Sequence, residues 1–284
     1  MCGAACFRLR IQDVTAYSRV EEILVVHKTF IVLAGCLLSL STLARGAGKE
    51  DPESFRIEVS GSSWLLNTSG NVQSSGTVID FVSDLGFEQR QPTFYGKLVF
   101  KPGRKHRLIL EGSPFSFSGL NTIHRSVTYQ GETFNVDQTL KTTSTLEYIF
   151  AGYQYDVIRR PAGHLGFSVG GAYMNAGATI LSVQEANTAT GTQQLGLPLI
   201  GAEFRVFPLP SHKWIDIDGG VRGVALGSYG HYVEGQANAG VWIGPISLQG
   251  GYRIVNADLH QAGSDPGGIA LHMRGPIFTL LFQW

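Results

Sequence analysis

Apolar and polar residues alternate along most of the chain beyond residue 53, and a period of two is that of a β-strand. In "FRIEVSGSSWLL" (55–66), Phe55, Ile57, Val59 and Leu65 fall on one parity, with Arg56, Glu58, Ser60 and Ser62 on the other. "FYGKLVFK" (94–101) sets Phe94, Leu98 and Phe100 against Tyr95, Lys97 and Lys101. "HRLILEG" (106–112) sets Leu108 and Leu110 against Arg107 and Glu111. The alternation recurs in 144–157, 164–177, 198–207, 214–226, 236–244, 246–259 and about 269–284, which makes ten candidate strands.

The connections fall into two kinds. Four are tight: 102–105, 158–163, 208–213 and Gly244-Pro245. Four are long and polar, roughly 67–92, 118–142, 178–196 and 261–268, and a fifth near 227–232 is short. One rim of short turns and one of long loops predicts an up-and-down antiparallel β-barrel. Two apolar pieces lie inside long connections, at 76–87 and 125–134. They extend a strand or form a small hairpin or helix. If either crosses the barrel, the count of about ten gives way to eight or twelve.

A soluble β-protein turns its apolar face inward, whereas a membrane barrel turns it outward to lipid. Only 15 % of the 284 residues are charged and 36 are glycine, which is sparse for a solvated surface. The charged parity carries both signs: Arg56, Lys97, Lys101, Arg107, Arg205, Arg222 and Arg253 against Glu58, Glu111, Asp156, Glu203, Asp216 and Asp218. These observations favour the membrane case, with the thirteen charges in the lumen. Their near balance predicts an ion-pair network that plugs it, since an unpaired buried charge is costly. A narrow polar conduit for small solutes is the alternative. Phe55, Phe100, Tyr155, Tyr173, Phe207, Phe282 and Trp284, near strand ends, fit interfacial aromatic girdles. The formal net charge of +0 argues against a nucleic-acid binder, which needs a basic stripe.

The N-terminus reads as an address. His27 and Lys28 precede "TFIVLAGCLLSLSTLA", an apolar run of signal-peptide length, and small residues near Ala44 to Ala47 suit cleavage. Residues 1–47 are therefore expected to be an N-terminal extension and signal peptide, and 48–284 the barrel domain. "LAGC" also resembles a lipoprotein cleavage box with Cys36 as the lipidated residue, but the apolar run continues past it. Cys2, Cys6 and Cys36 all precede residue 40, so the rest of the chain has no disulfide or thiol chemistry.

The chain ends in "FTLLFQW", with Phe278, Leu280, Phe282 and Trp284 on one parity. With the signal segment and the alternating strands, this resembles the bacterial outer-membrane β-barrel proteins over about residues 54–284. The resemblance implies an outer-membrane location after export, contact with lipid and lipopolysaccharide, and recognition of the terminal strand by the barrel-assembly machinery. Phe is the commoner final residue in that family, so Trp284 is a mild departure. The resemblance does not select an activity, because barrels host many.

Candidate chemistry is thin. "DID" places Asp216 and Asp218 about 7 Å apart on one strand face. The pair reads as lumen carboxylates facing Arg205 and Arg222. A regular hairpin at Gly244-Pro245 sets His231 opposite Asp258, with His260 and His272 nearby. Outer-membrane proteases and lipid A-modifying hydrolases carry His and acidic residues at this rim, but no Ser follows His231 at i+2. No metal spacing and no phosphate-binding glycine motif occurs, so no cofactor is expected. The leading expectation is a non-enzymatic barrel for envelope structure, surface-loop interaction or narrow solute passage. An outer-membrane hydrolase with a rim site is the first alternative, and a soluble secreted β-protein the second.

Overall fold

The computed structural model describes residues 51–284 except 75, 186, 210–212 and 261–266. The expected signal segment, its expected cleavage region and Cys36 lie outside the described residues. A one-turn 3-10 helix, Pro52–Ser54, leads into β1 (Ile57–Ser74), β2 (Thr77–Asp80), β3 (Arg90–Gly103) and β4 (His106–Thr122). A small hairpin follows, β5 (Val127–Tyr129) and β6 (Glu132–Phe134), then β7 (Thr139–Arg160), β8 (Gly163–Ser182) and β9 (Thr188–Val206). The chain continues through β10 (Ile215–Ala225), β11 (Gly230–Ile243), β12 (Ile246–His260) and β13 (Gly268–Gln283).

Ten of these strands form one antiparallel sheet in the order β13-β12-β11-β10-β9-β8-β7-β4-β3-β1, and β13 pairs back onto β1. The sheet is thus a closed barrel without an edge. Neither inserted apolar piece crosses it. Residues 77–80 pair with the tip of β1, and 127–134 fold into the separate β5–β6 hairpin. The long polar loop expected over 178–196 is instead strand on both sides, with Leu181 opposite Thr188. Thr and Gln populate that stretch, and their alternation carries no apolar signal. At the other rim, Gly244 takes φ +65° between Ile243 and Ile246, the positive φ that a two-residue hairpin turn demands.

Polarity reverses along individual strands. On β7 the outward parity runs Lys141, Thr143, Thr145, Glu147 and then Ile149, Ala151, Tyr153, Tyr155, Val157. The inward parity does the opposite, with Leu140, Tyr148 and Phe150 buried near the loop end and Gln154 and Asp156 buried near the turn end. The turn half is therefore built as a membrane barrel, apolar outside and charged inside. The loop half is built as a soluble barrel, with a dry core and a polar exterior. That core includes Trp64, Phe115 and Phe117, with Trp64 edge-on to Phe115 at 6.1 Å and Phe87 stacked on Phe117 at 5.7 Å.

The exposed belt includes Phe94, Leu98, Phe100, Leu108, Leu110, Phe167, Val169, Ile200, Leu248, Phe278 and Leu280. Three residues expected among the girdle aromatics, Phe55, Phe207 and Phe282, are buried instead. Phe207 packs against Trp242, with centroids 6.4 Å apart. Phe55 turns into the lumen because Arg56 N and Ile57 N both donate to the Trp284 carbonyl, at 2.8 and 2.9 Å. Two residues thus oppose one, as in a β-bulge, and the parity slips between Phe55 and Glu58.

The closing seam leaves no room beside Gly275, where an added Cβ would collide with the Leu65 carbonyl oxygen. Gly275→Ala is expected to cost about 1–3 kcal/mol, the usual price of overpacking. Denaturant titration in micelles, reading the gel shift of the unheated barrel, measures this.

Candidate functional site

The lumen of the turn half holds two ion-pair clusters. The lower one centres on Glu53, which the one-turn helix carries into the barrel mouth. Its Oε2 accepts from Arg107 Nη2 at 2.6 Å, and Lys101 Nζ donates to its backbone carbonyl at 2.6 Å. His164 Nδ1 stands 3.1 Å and Arg205 Nη1 3.7 Å from Oε1. Arg107 also pairs with Asp156 at 2.8 Å, and Arg205 with Glu58 at 2.7 Å. Burial pushes the Glu53 carboxyl up, but His164, Arg107 and Arg205 outweigh it and hold it well below the usual carboxylate range. Phe55 lies under this cluster, 4.3 Å from Lys101 Nζ.

The upper cluster links Lys97, Glu111, Glu203, Arg222, Glu234 and Arg253. Lys97 pairs with Glu203 at 2.8 Å and Glu111 at 3.4 Å. Arg222 bridges Glu111 and Glu234, while Arg253 holds the other Glu234 oxygen at 2.6 Å. Tyr148 donates to Glu234 at 2.8 Å. Arg222 lies 4.0 Å over the Phe150 ring and Arg253 4.0 Å over Tyr95, so this cluster is seated directly against the aromatic core. A cavity of about 90 Å³ lies among these side chains, bordered by Glu58, Lys97, Glu203, Arg222 and Gln249.

Asp216 and Asp218 are joined by one amide, Gln249 Nε2, which donates to both at 3.0 and 2.6 Å. Arg205 Nε stands 3.5 Å from Asp216, while Asp218 takes a second hydrogen bond from Asn238 rather than from Arg222. Of the thirteen charges assigned to the lumen from sequence, Arg56 is the exception. It is exposed, because the bulge that turns Phe55 inward turns Arg56 out. Sequence reasoning missed three participants: Glu53, His164 and Glu234. Glu53 precedes the first strand and has no periodic signal. Glu234 shares the inward parity of Gln236 and Asn238, but β11 begins six residues before the segment in which alternation is evident.

The rim candidates sit elsewhere. His231 is opposite Asp258 in register, and His260 Nε2 stands 3.4 Å from Asp258. His272 pairs with Asn256 at 3.1 Å. All four share the outward parity of Tyr252 and Phe278, on the outside of the wall above the belt, and His231, His260 and His272 are exposed. Among the described residues no group of three or more His, Cys, Asp or Glu could hold a metal ion.

The architecture matches known structures. The crystal structure of the outer-membrane protease OmpT from Escherichia coli superposes with a TM-score of 0.54 at 12% identity, over 85% of this chain and 100% of that one. The fold is that of a bacterial outer-membrane β-barrel. Ail of Yersinia pestis (TM-score 0.31, 12% identity, 79% of this chain and 99% of that one) and OprG of Pseudomonas aeruginosa (0.35, 8%, 83% and 99%) align more loosely. No protein-family model matches the chain, and no curated protein matches it in sequence. At such identity the likeness to OmpT concerns the fold alone.

Proposed function

We propose that this is a closed, non-enzymatic outer-membrane barrel whose role is structural or lies in what its loop end displays. One observation carries the reading: ion-pair clusters cross the turn half of the lumen, and a dry aromatic core crosses the loop half. At the loop mouth, the β5–β6 hairpin buries Val127, Tyr129 and Phe134, and Gln130 N reaches Ser74 Oγ at 3.3 Å. A solute path would have to break all three layers.

In this reading the short turns face the periplasm and the long-loop end faces outward. The belt sits in lipid after export directed by the N-terminal segment, and the terminal strand engages the barrel-assembly machinery. At the belt's loop-side edge, Arg274, Asn67 and Arg90 lie opposite one another on three adjacent strands with outward parity. Cations at that height suit the phosphates of lipopolysaccharide.

Purified barrel in planar bilayers is expected to give no steps above the membrane baseline. A reproducible unitary conductance from the wild-type chain overturns the closed reading. His231→Ala is expected to leave lipid and peptide hydrolysis assays at the wild-type level. Hydrolysis by the wild type that this substitution abolishes would restore the rim-hydrolase alternative.

A further inference from the structure

Four basic side chains from the two strand pairs that flank β7 converge on one carboxylate: Lys101 on β3, Arg107 on β4, His164 on β8 and Arg205 on β9 meet Glu53. Glu53 is not part of that wall. It rides on residues 51–55, which precede the first sheet hydrogen bond, at Arg56 N. The segment is held by side chains and a local turn: Asp51 with Arg159 at 2.6 Å, Ser54 on the Asp51 carbonyl at 2.7 Å, Phe55 beneath Lys101, and Lys101 Nζ on the Glu53 carbonyl. It can leave without breaking a barrel ladder, the kind of local opening that costs less than global unfolding.

The carboxylate also underfills the site. Glu53 Oε1 and His164 Nδ1 face each other at 3.1 Å without hydrogen-bond geometry, and Arg205 Nε is buried without a hydrogen bond, 3.5 Å from Asp216. Buried donors left unpaired are costly, and a carboxylate has only two oxygens to offer. An anion with four oxygens can accept from both walls at once.

We propose that the turn-end mouth is a binding site for a tetrahedral oxyanion of the phosphate class, with Glu53 as a tethered occupant that the anion displaces. The inference goes beyond the closed-barrel reading and does not depend on it, because the aromatic core blocks the lumen whichever occupant is present.

Glu53→Ala, purified and folded in detergent, is expected to bind inorganic phosphate saturably in calorimetric titration, at least tenfold tighter than the wild-type chain. Adding Arg107→Gln is expected to remove at least tenfold of that affinity. Glycerol 3-phosphate in place of phosphate separates a phosphorylated headgroup from a free ion. Absence of saturable binding of either compound by the folded Glu53→Ala chain, or binding indifferent to Arg107→Gln, overturns the proposal. Should Glu53→Ala fail to fold, Phe55→Cys in the otherwise intact chain reports the same exchange. Its maleimide labelling, followed by mass spectrometry of that peptide, is expected to accelerate at least threefold in phosphate over chloride at equal ionic strength. An unchanged rate overturns the proposal as well.

Discussion

Arg222→Ala is expected to destabilise the folded barrel by about 3 kcal/mol, the low end of what removing one partner of a buried ion pair costs. Arg222 is the joint of the upper cluster, bridging Glu111 and Glu234 while stacking on Phe150. Removing it leaves two buried carboxylates short of a cation. The loss stays at the low end because Glu111 keeps Lys97 at 3.4 Å and Glu234 keeps Arg253 at 2.6 Å. Urea titration of the unheated gel shift gives the size. A double-mutant cycle gives the cause: Glu111→Gln in the Arg222→Ala background is expected to recover part of the loss, since it removes the stranded charge. If Arg222→Ala unfolds at the wild-type urea concentration, the cluster does not hold the wall together. The same variant is expected to raise leakage in planar bilayers only slightly, because the aromatic core above it remains. Large conductance steps would assign the seal to the charges alone.

What was legible from the sequence follows the periodicity. The ten strands, the tight turns and the apolar exterior of the turn half all rest on alternations such as Leu108/Leu110 against Arg107/Glu111, where one face is charged and the other apolar. The loop half was not legible, because there the faces exchange roles without changing parity. Leu140 and Tyr148 point inward on the same parity as Asp156, and Lys141 and Glu147 point outward on the same parity as Ile149. A reading that gives each strand one polarity from end to end cannot find the dry core. The thirteen charges expected in the lumen lie where the pattern is strong, and the structure turns only Arg56 out of the lumen, at a bulge. Glu53 and His164 escaped notice because each lies at or beyond the end of its strand, where two or three residues define no period. Nothing local marks a segment that folds back into a barrel mouth; only closure brings Glu53 within reach of β8 and β9.

The seam where the barrel closes yields the other large effect. Trp284 N donates to the Ile57 carbonyl at 2.8 Å, and the Trp284 carbonyl accepts from both Arg56 and Ile57. Truncating the chain before Trp284 removes three backbone hydrogen bonds from the joint between β13 and β1. At about 0.5–1.5 kcal/mol net for each, the expected cost is on the order of 2–4 kcal/mol. Gln283 Nε2, on Glu58 at 2.6 Å, and the remaining register from Val59 opposite Phe282 onward hold the strands together, so a barrel still forms in micelles. Trp284→Ala separates the backbone from the ring. It keeps all three bonds and deletes only a side chain that is 45% exposed, so its refolded stability is expected to lie within about 1 kcal/mol of wild type. In cells the two variants are expected to converge. If the assembly machinery reads the terminal aromatic, as proposed above, both accumulate severalfold less heat-modifiable barrel in the outer membrane, while Trp284→Phe assembles normally. Wild-type accumulation of Trp284→Ala would leave Trp284 a structural clasp, with its backbone holding the seam and its ring dispensable.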